Sequence, residues 1–356
     1  MTRRVLTWAR AHARTLTFLA TAGLSFLASD CALRAAEHAA TNEAPRLVLS
    51  PPSSSLTIRS PALFPETVVH DAARDRLLVG SFRRGAIYAV DDAGGATAIV
   101  DEPRLCSVLG IAIDEARGRV WAVNSDLGAS AKPSAAGAKK LAAVGVYDLS
   151  TGEPLLYVDL APLAPGPHLL NGIALDADGS AYVTDSFAPV IYKVRADGEA
   201  TVFAKSERFE GAGINLNGVV VHPDGYLLVV KKSDGQLFKV PLDHPEALSG
   251  VAVSTRFVGG DGLLLVDDRS LVIVANKTPD AATNAVFALS TDDGFASARV
   301  DGRIDLGDVY PTTAVQRGGG VYVVHSRLNE LIQGAPEVRE GLRTEAVLDR
   351  VGDVRR

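Results

Sequence analysis

The stretch NGIALDADGSAYVTDS, residues 171–186, returns as NGVVVHPDGYLLVVKK, residues 217–232. Both copies run in the same order: an Asn-Gly pair, an apolar strand, an Asp-Gly turn, and a second apolar strand. Apolar runs on either side of an Asp-Gly pair signal a β-hairpin. Four more segments share the form: PETVVHDAARDRLLVGS (65–81), LGIAIDEARGRVWAVNS (109–125), DGLLLVDDRSLVIVAN (261–276) and TTAVQRGGGVYVVHS (312–326). Counted from Glu66, Gly110, Asn171, Asn217, Asp261 and Thr312, the units lie 44, 61, 46, 44 and 51 residues apart. Repeats of this size, each built on a hairpin, are the signature of propeller blades. A third strand follows most hairpins (GAIYAVD, VGVYDLS, VIYKVRA, GQLFKVP, AVFALST), and EATVFA (199–204) and VSTRFV (253–258) are expected as outer strands. A sandwich does not account for six like units, and solenoid repeats are shorter. The expected fold is all-β: a six-bladed β-propeller with four-stranded antiparallel blades around a central channel, spanning residues 61–356.

In such a fold the innermost strand of each blade starts at the channel mouth. The first residues of the six units therefore form a ring: Glu66, Gly110, Asn171, Asn217, Asp261 and Thr312. Carboxylate and amide oxygens converging on an axis suit a hard cation such as Ca²⁺. The ring holds no Cys or His, which argues against a structural zinc site. Asn-Gly and Asp-Gly are ordinary turn pairs elsewhere, but here they precede the inner strand, while the tight turns fall at Asp178-Gly179 and Asp224-Gly225. A wider ring is expected at the ends of the second strands, from Phe82, Asn124, Asp185, Lys231, Asn276 and His325. Asn124, Asp185 and His325 are candidate substrate contacts, with His168 on the approach to Asn171. His70 and His222 fall within or below the inner strands, where a structural role is expected. No Gly-x-Ser-x-Gly elbow, phosphate loop or dinucleotide motif is present.

The segments FPE (64–66), LNGIALDADGSAYVTDS (170–186), LNGVVVHPDG (216–225) and GDGLLLVDD (260–268) resemble the SMP-30/gluconolactonase-like superfamily. That superfamily takes in diisopropylfluorophosphatase-like phosphotriesterases and, more distantly, paraoxonases and strictosidine synthase-like proteins. The resemblance covers Phe64 to about Leu331. It implies one divalent cation in the channel, Ca²⁺ first, with Zn²⁺, Mn²⁺ or Mg²⁺ as alternatives. Glu66, Asn217 and Asp261 match the family's metal ligands, and Asn171 matches an Asn that binds metal in some members and substrate in others. Hydrolysis of lactones or esters is the implied activity, with Asp261 as catalytic base or nucleophile. Two family positions differ. Leu169 stands where sugar-lactone members carry Arg, and Leu109 where paraoxonases carry His, so neither aldonolactone specificity nor a paraoxonase-type base is implied. A non-catalytic ligand-binding propeller with a structural metal and a strictosidine synthase-like enzyme are the competing readings.

The flanking sequence sets the context. Residues 1–15 carry Arg3, Arg4, Arg10 and Arg14 and no acid, and an apolar run, Leu16–Ala28, follows. This reads as a signal peptide or N-terminal anchor over 1–35 and an exported protein, periplasmic or secreted. Cys31 raises a lipoprotein reading that Asp30 weakens. Residues 36–60 read as a linker with one strand at Arg46–Ser50. Without 1–35 the chain carries 31 basic and 41 acidic residues, a net charge of −10. Such a surface repels phosphate, so the expected partner is a small-molecule substrate and not nucleic acid. Cys106 then stands alone, and the fold rests on packing without a disulfide. The insertion DLGASAKPSAAGAKKLAA (126–143) is expected on the channel-mouth face as a candidate lid.

Overall fold

The computed structural model describes residues 46–355 apart from 280, 282 and 335–344. The expected leader, residues 1–35, lies outside the described residues. Six four-stranded sheets are formed. Blade one holds β2 (Pro65–Asp71), β3 (Arg76–Ser81), β4 (Ala86–Val90) and β5 (Ala96–Val100). Blade two holds β6 (Ser107–Asp114), β7 (Arg119–Ser125), β8 (Ala142–Asp148) and β9 (Pro154–Asp159). Blade three runs β10 (Leu170–Leu175), β11 (Ala181–Asp185), β12 (Val190–Val194) and β13 (Ala200–Lys205). Blade four runs β14 (Leu216–His222), β15 (Tyr226–Lys231), β16 (Leu237–Pro241) and the two-residue β17 (Ser249–Gly250). Blade five is β18 (Gly260–Asp267), β19 (Ser270–Ala275), β20 (Ala285–Ser290) and β21 (Arg299–Asp305).

Blade six joins the two ends of the propeller. β22 (Pro311–Arg317) and β23 (Gly320–His325) pair with β24 (Glu345–Arg355), and the outermost strand is β1 (Arg46–Arg59). Residues 46–59 are thus a 14-residue strand rather than linker with a short strand at Arg46–Ser50. Completing the last blade with the N-terminal strand closes the ring of blades and covers the edge of β24. Ser55 Oγ donates to Asp349 Oδ1 across this junction at 2.6 Å.

The expected outer strand at 253–258 does not form. Phe257 turns inward instead, fully buried, with its ring edge-on to Phe287 at 5.2 Å and its amide donating to the Gly235 carbonyl at 2.9 Å. Burial of that ring between blades four and five outcompetes one more strand on an exposed edge.

Two local features aim the ring residues at the axis. Each inner strand slips register where its ring residue sits: at Pro65/Thr67, Val108/Ile111, Leu170/Ile173, Leu216/Val219, Gly260/Leu263 and Pro311/Ala314. A bulge bends the strand and re-aims a side chain. The glycine after the ring residue then lets neighbouring inner strands close up. A methyl group on Gly172 would meet the Asn217 carbonyl oxygen at 2.5 Å, and one on Gly218 the Asp261 carbonyl oxygen at 2.2 Å. The repeated Asn-Gly and Asp-Gly pairs are therefore close-approach sites and not turns. Between blades six and one, where no glycine stands, Thr312 and Thr313 hydroxyls donate to the Glu66 carbonyl at 2.7 and 2.8 Å.

Gly218→Ala is accordingly expected to cost at least about 1–3 kcal/mol, because the opposing atoms are backbone and cannot rotate away. A lowered urea midpoint with an unchanged slope checks this. A midpoint equal to that of the parent chain would show that the strands can move apart freely.

Candidate active site

A cavity of about 500 Å³ runs along the axis, with Glu66, Asn171, Asn217 and Asp261 at one end and His70 and Gln316 toward the other. Between them the wall is apolar, with Val68, Ile111, Ile173, Val219 and Leu263 from five successive blades. These four ring residues are buried, at 3–6% exposure. Above the ring lies an apolar layer, where Phe64, Leu109, Leu169 and Tyr310 belong to one cluster with Leu328 and Leu331 of a short helix, α1 (Leu328–Gln333).

The Glu66 carboxyl and the Asn217 amide form no side-chain hydrogen bond among the described residues, and both face the cavity. Burial, and then the nearby Asp261 carboxylate, push the Glu66 carboxyl well above the usual carboxylate range. Asn171 Nδ2 donates to Ser186 Oγ at 3.2 Å, which fixes the amide at the cavity wall.

Asp261 is held through one oxygen. Its Oδ2 accepts from Lys232 Nζ at 2.6 Å and from Asn276 Nδ2 at 2.7 Å. Lys232 Nζ also donates to Asn276 Oδ1 and lies 5.6 Å from the centre of the Tyr310 ring. The Lys232 side chain is 6% exposed. Burial works most strongly against its charge, but the surrounding Asp261, Tyr310 and Glu66 together more than offset it and raise its pKa.

Sequence reasoning passed over Lys232 and named Lys231. In the structure Lys231 Nζ turns to the Arg208 and Glu210 carbonyls and to Asp234. The signal lay in the column Ser81, Ser125, Ser186, Lys232, Asn276 and Ser326, one residue beyond Asn124, Asp185, Lys231 and His325, one before Phe82, and met already at Asn276. Five of these reach a backbone carbonyl at or just before an inner strand: Ser81 to Leu63, Ser125 to Leu170, Ser186 to Leu216, Asn276 to Pro311 and Ser326 to Tyr310. Lys232 reaches the Asp261 carboxylate, which Asn276 also contacts, and it is the one residue of the six that brings a cation there.

The other expected substrate contacts point elsewhere. Asn124 is fully buried, accepting from the Cys106 amide at 2.8 Å and donating to the Arg104 carbonyl and the Tyr157 hydroxyl. Asp185 binds His168 Nδ1 at 2.8 Å and the amides of Leu169, Phe187 and Ala188. Together Asp185 and His168 brace the backbone that leads into Asn171. His325 lies 3.2 Å from Asp349 in blade six, and burial lowers its pKa. None of these four lines the axial cavity. His222 stacks on Tyr226 at 4.2 Å and contacts the Asp268 carbonyl, a structural setting. His70 lines the cavity's far end and contacts Asp75 at 3.0 Å.

The insertion 126–143 is tied down rather than free. Ala131 N donates to the Arg83 carbonyl, Lys132 Nζ to Asp101, Ser134 N to Asp126, and the Lys139 carbonyl accepts from His168 N. It bridges blades one and three as a fixed part of the rim.

No protein-family model matches the chain, and no curated protein matches it by sequence. Solved structures do match. The Mala s 1 allergen of Malassezia sympodialis superposes with a TM-score of 0.64 at 16% identity, covering 83% of this chain and 95% of that one. A gluconolactonase from Xanthomonas campestris superposes with a TM-score of 0.55 at 14% identity, covering 87% and 95%. A luciferin-regenerating enzyme gives a TM-score of 0.55 at 12% identity, covering 83% and 95%. The last two belong to the SMP-30/gluconolactonase/LRE-like family that the ring motifs resemble. What this chain shares with them is the six-bladed fold. Fold alone does not choose among the activities a propeller carries.

The ring does not fit the divalent cation that the resemblance implies. Its oxygen donors are of the right kind, but Ca²⁺ sites gain affinity from ligand charge. Here one of the two carboxyls is already paired with a buried ammonium, Lys232 Nζ at 2.6 Å from Asp261 Oδ2.

Proposed function

We propose that the ring end of the axial cavity hydrolyses small lactones or esters by acid–base chemistry between two carboxyl groups. The observation that carries the reading is the unequal setting of Glu66 and Asp261. Asp261 is fixed as a carboxylate through Oδ2, leaving Oδ1 for a water. Glu66 faces the same cavity with no protein partner among the described residues, and burial favours its protonated form. A carboxyl hydrogen-bonded to an ammonium beside one without such a partner offers a base and an acid within one cavity.

Asp261 then takes a proton from water as the oxygen attacks the substrate carbonyl, and Glu66 gives a proton to the departing alkoxide. The Asn217 amide donates to the carbonyl oxygen, where negative charge develops. The apolar wall beyond the ring receives the rest of the substrate and favours molecules with a hydrocarbon portion.

The test is turnover of a lactone and aryl-ester panel by the full chain and by Glu66→Gln. Gln keeps a hydrogen-bond donor but cannot transfer a proton, so kcat is expected to fall by about 10²-fold or more. A folded parent chain that binds panel members without turning them over would instead support the binding-propeller reading. Equal kcat in Glu66→Gln would remove Glu66 from the reaction.

A further inference from the structure

We infer that Lys232 is the built-in cation of this site, taking the place of a divalent metal as the counter-charge of Asp261, and that the site therefore binds no Ca²⁺ of its own. The inference concerns binding and stands whether or not the ring is catalytic.

Three independent observations meet at this residue. The first is geometry: Nζ approaches Asp261 Oδ2 at 2.6 Å, donates to Asn276 Oδ1, and is backed by the Tyr310 ring. The second is anchoring. Lys232 N donates to the Asn215 carbonyl and Lys232 O accepts from Gly259 N, at 2.8 and 2.9 Å, so the backbone is pinned to the start of the inner strands of blades four and five. The third is the repeat itself. In the five other blades the equivalent position is Ser or Asn, short side chains that satisfy backbone carbonyls. Only blade four carries a long cationic chain there, and it is the blade whose neighbour supplies Asp261.

The charge balance follows. Lys232 Nζ already meets the Asp261 carboxylate at 2.6 Å, so the pair offers no net charge to a cation on the axis. A divalent ion on the axis would face a fixed ammonium just beyond Asp261, and that repulsion is strong where water is excluded. Removing the ammonium should create the metal site that the oxygen ring otherwise describes.

Titration calorimetry and thermal melting with Ca²⁺ alone, on the full chain, test this. The parent chain is expected to give no binding heat, and its Tm should not move with millimolar Ca²⁺ or with a chelator. Lys232→Met should become Ca²⁺-dependent, with a one-site isotherm and a Tm that rises by several degrees on Ca²⁺ addition. Lys232→Gln, which keeps a donor to Asp261 without the charge, serves the same purpose if the Met variant does not fold. One Ca²⁺ bound tightly by the parent chain overturns the inference. So does a folded, charge-free variant that still ignores Ca²⁺, since the lysine would then not be what excludes the ion.

Discussion

Asp261→Asn is expected to lower kcat/KM by about 10²–10⁴-fold, the usual worth of a positioned general base. The substitution changes two things at once, and they separate experimentally. The carboxylate oxygen offered to water becomes part of a neutral amide that cannot hold a proton. Lys232, buried behind it, also loses its counter-charge. A buried charge left without its partner typically costs about 3–5 kcal/mol, so the single variant should be less stable as well as inactive. The double variant Asp261→Asn, Lys232→Met removes both charges and should regain most of the lost stability while remaining inactive. Activity that returned with stability in the double variant would mean Asp261 serves only to neutralise Lys232. Denaturant melts and single-turnover rates on the three variants decide between these.

The ring was legible because a propeller repeats it. Once six hairpins were counted, the residue opening each inner strand had to face the axis, so Glu66, Asn171, Asn217 and Asp261 could be named from sequence. What surrounds them was less legible because it depends on register at the other strand end. A shift of one residue in a strand moves a side chain to the opposite face. That one-residue shift separates Lys231, bonded to backbone carbonyls on the outside of the blade, from Lys232 at the ring. It likewise separates Asn124 from Ser125 and Asp185 from Ser186. The bulges on the inner strands compound the difficulty, since each displaces the pairing count on its hairpin. The closing strand at 46–59 was hidden for another reason. Its Pro- and Ser-rich sequence (PPSSS, 51–55) looks like linker, and only the vacant outer edge of blade six makes it a strand.

Asp185→Ala is expected to be the most destabilising single change outside the ring. It strands five donors in a buried place: His168 Nδ1 at 2.8 Å, the amides of Leu169, Phe187 and Ala188 at 3.0, 3.0 and 3.1 Å, and the Tyr192 hydroxyl at 3.4 Å. Loss of a buried hydrogen-bonded carboxylate facing a cationic partner costs about 3–5 kcal/mol. The pH dependence identifies the mechanism. The Asp185 hydrogen bond is the main cause of a raised His168 pKa, with the backbone of Ala164 and Ala161 adding to it. A raised folded value means that this part of the stability is fully present below the unfolded histidine pKa of about 6.5. It is lost as pH rises through the folded value. The parent chain should therefore lose stability relative to Asp185→Ala as pH climbs through that window, so the gap between the two narrows toward alkaline pH without closing. The backbone amides stay stranded at every pH, which keeps it open. A gap constant with pH would show that His168 is neutral in the fold and that Asp185 acts only as an acceptor for amides. Either way the damage should reach the ring, because Leu169 and Ser186, on either side of this brace, fix the position of Asn171.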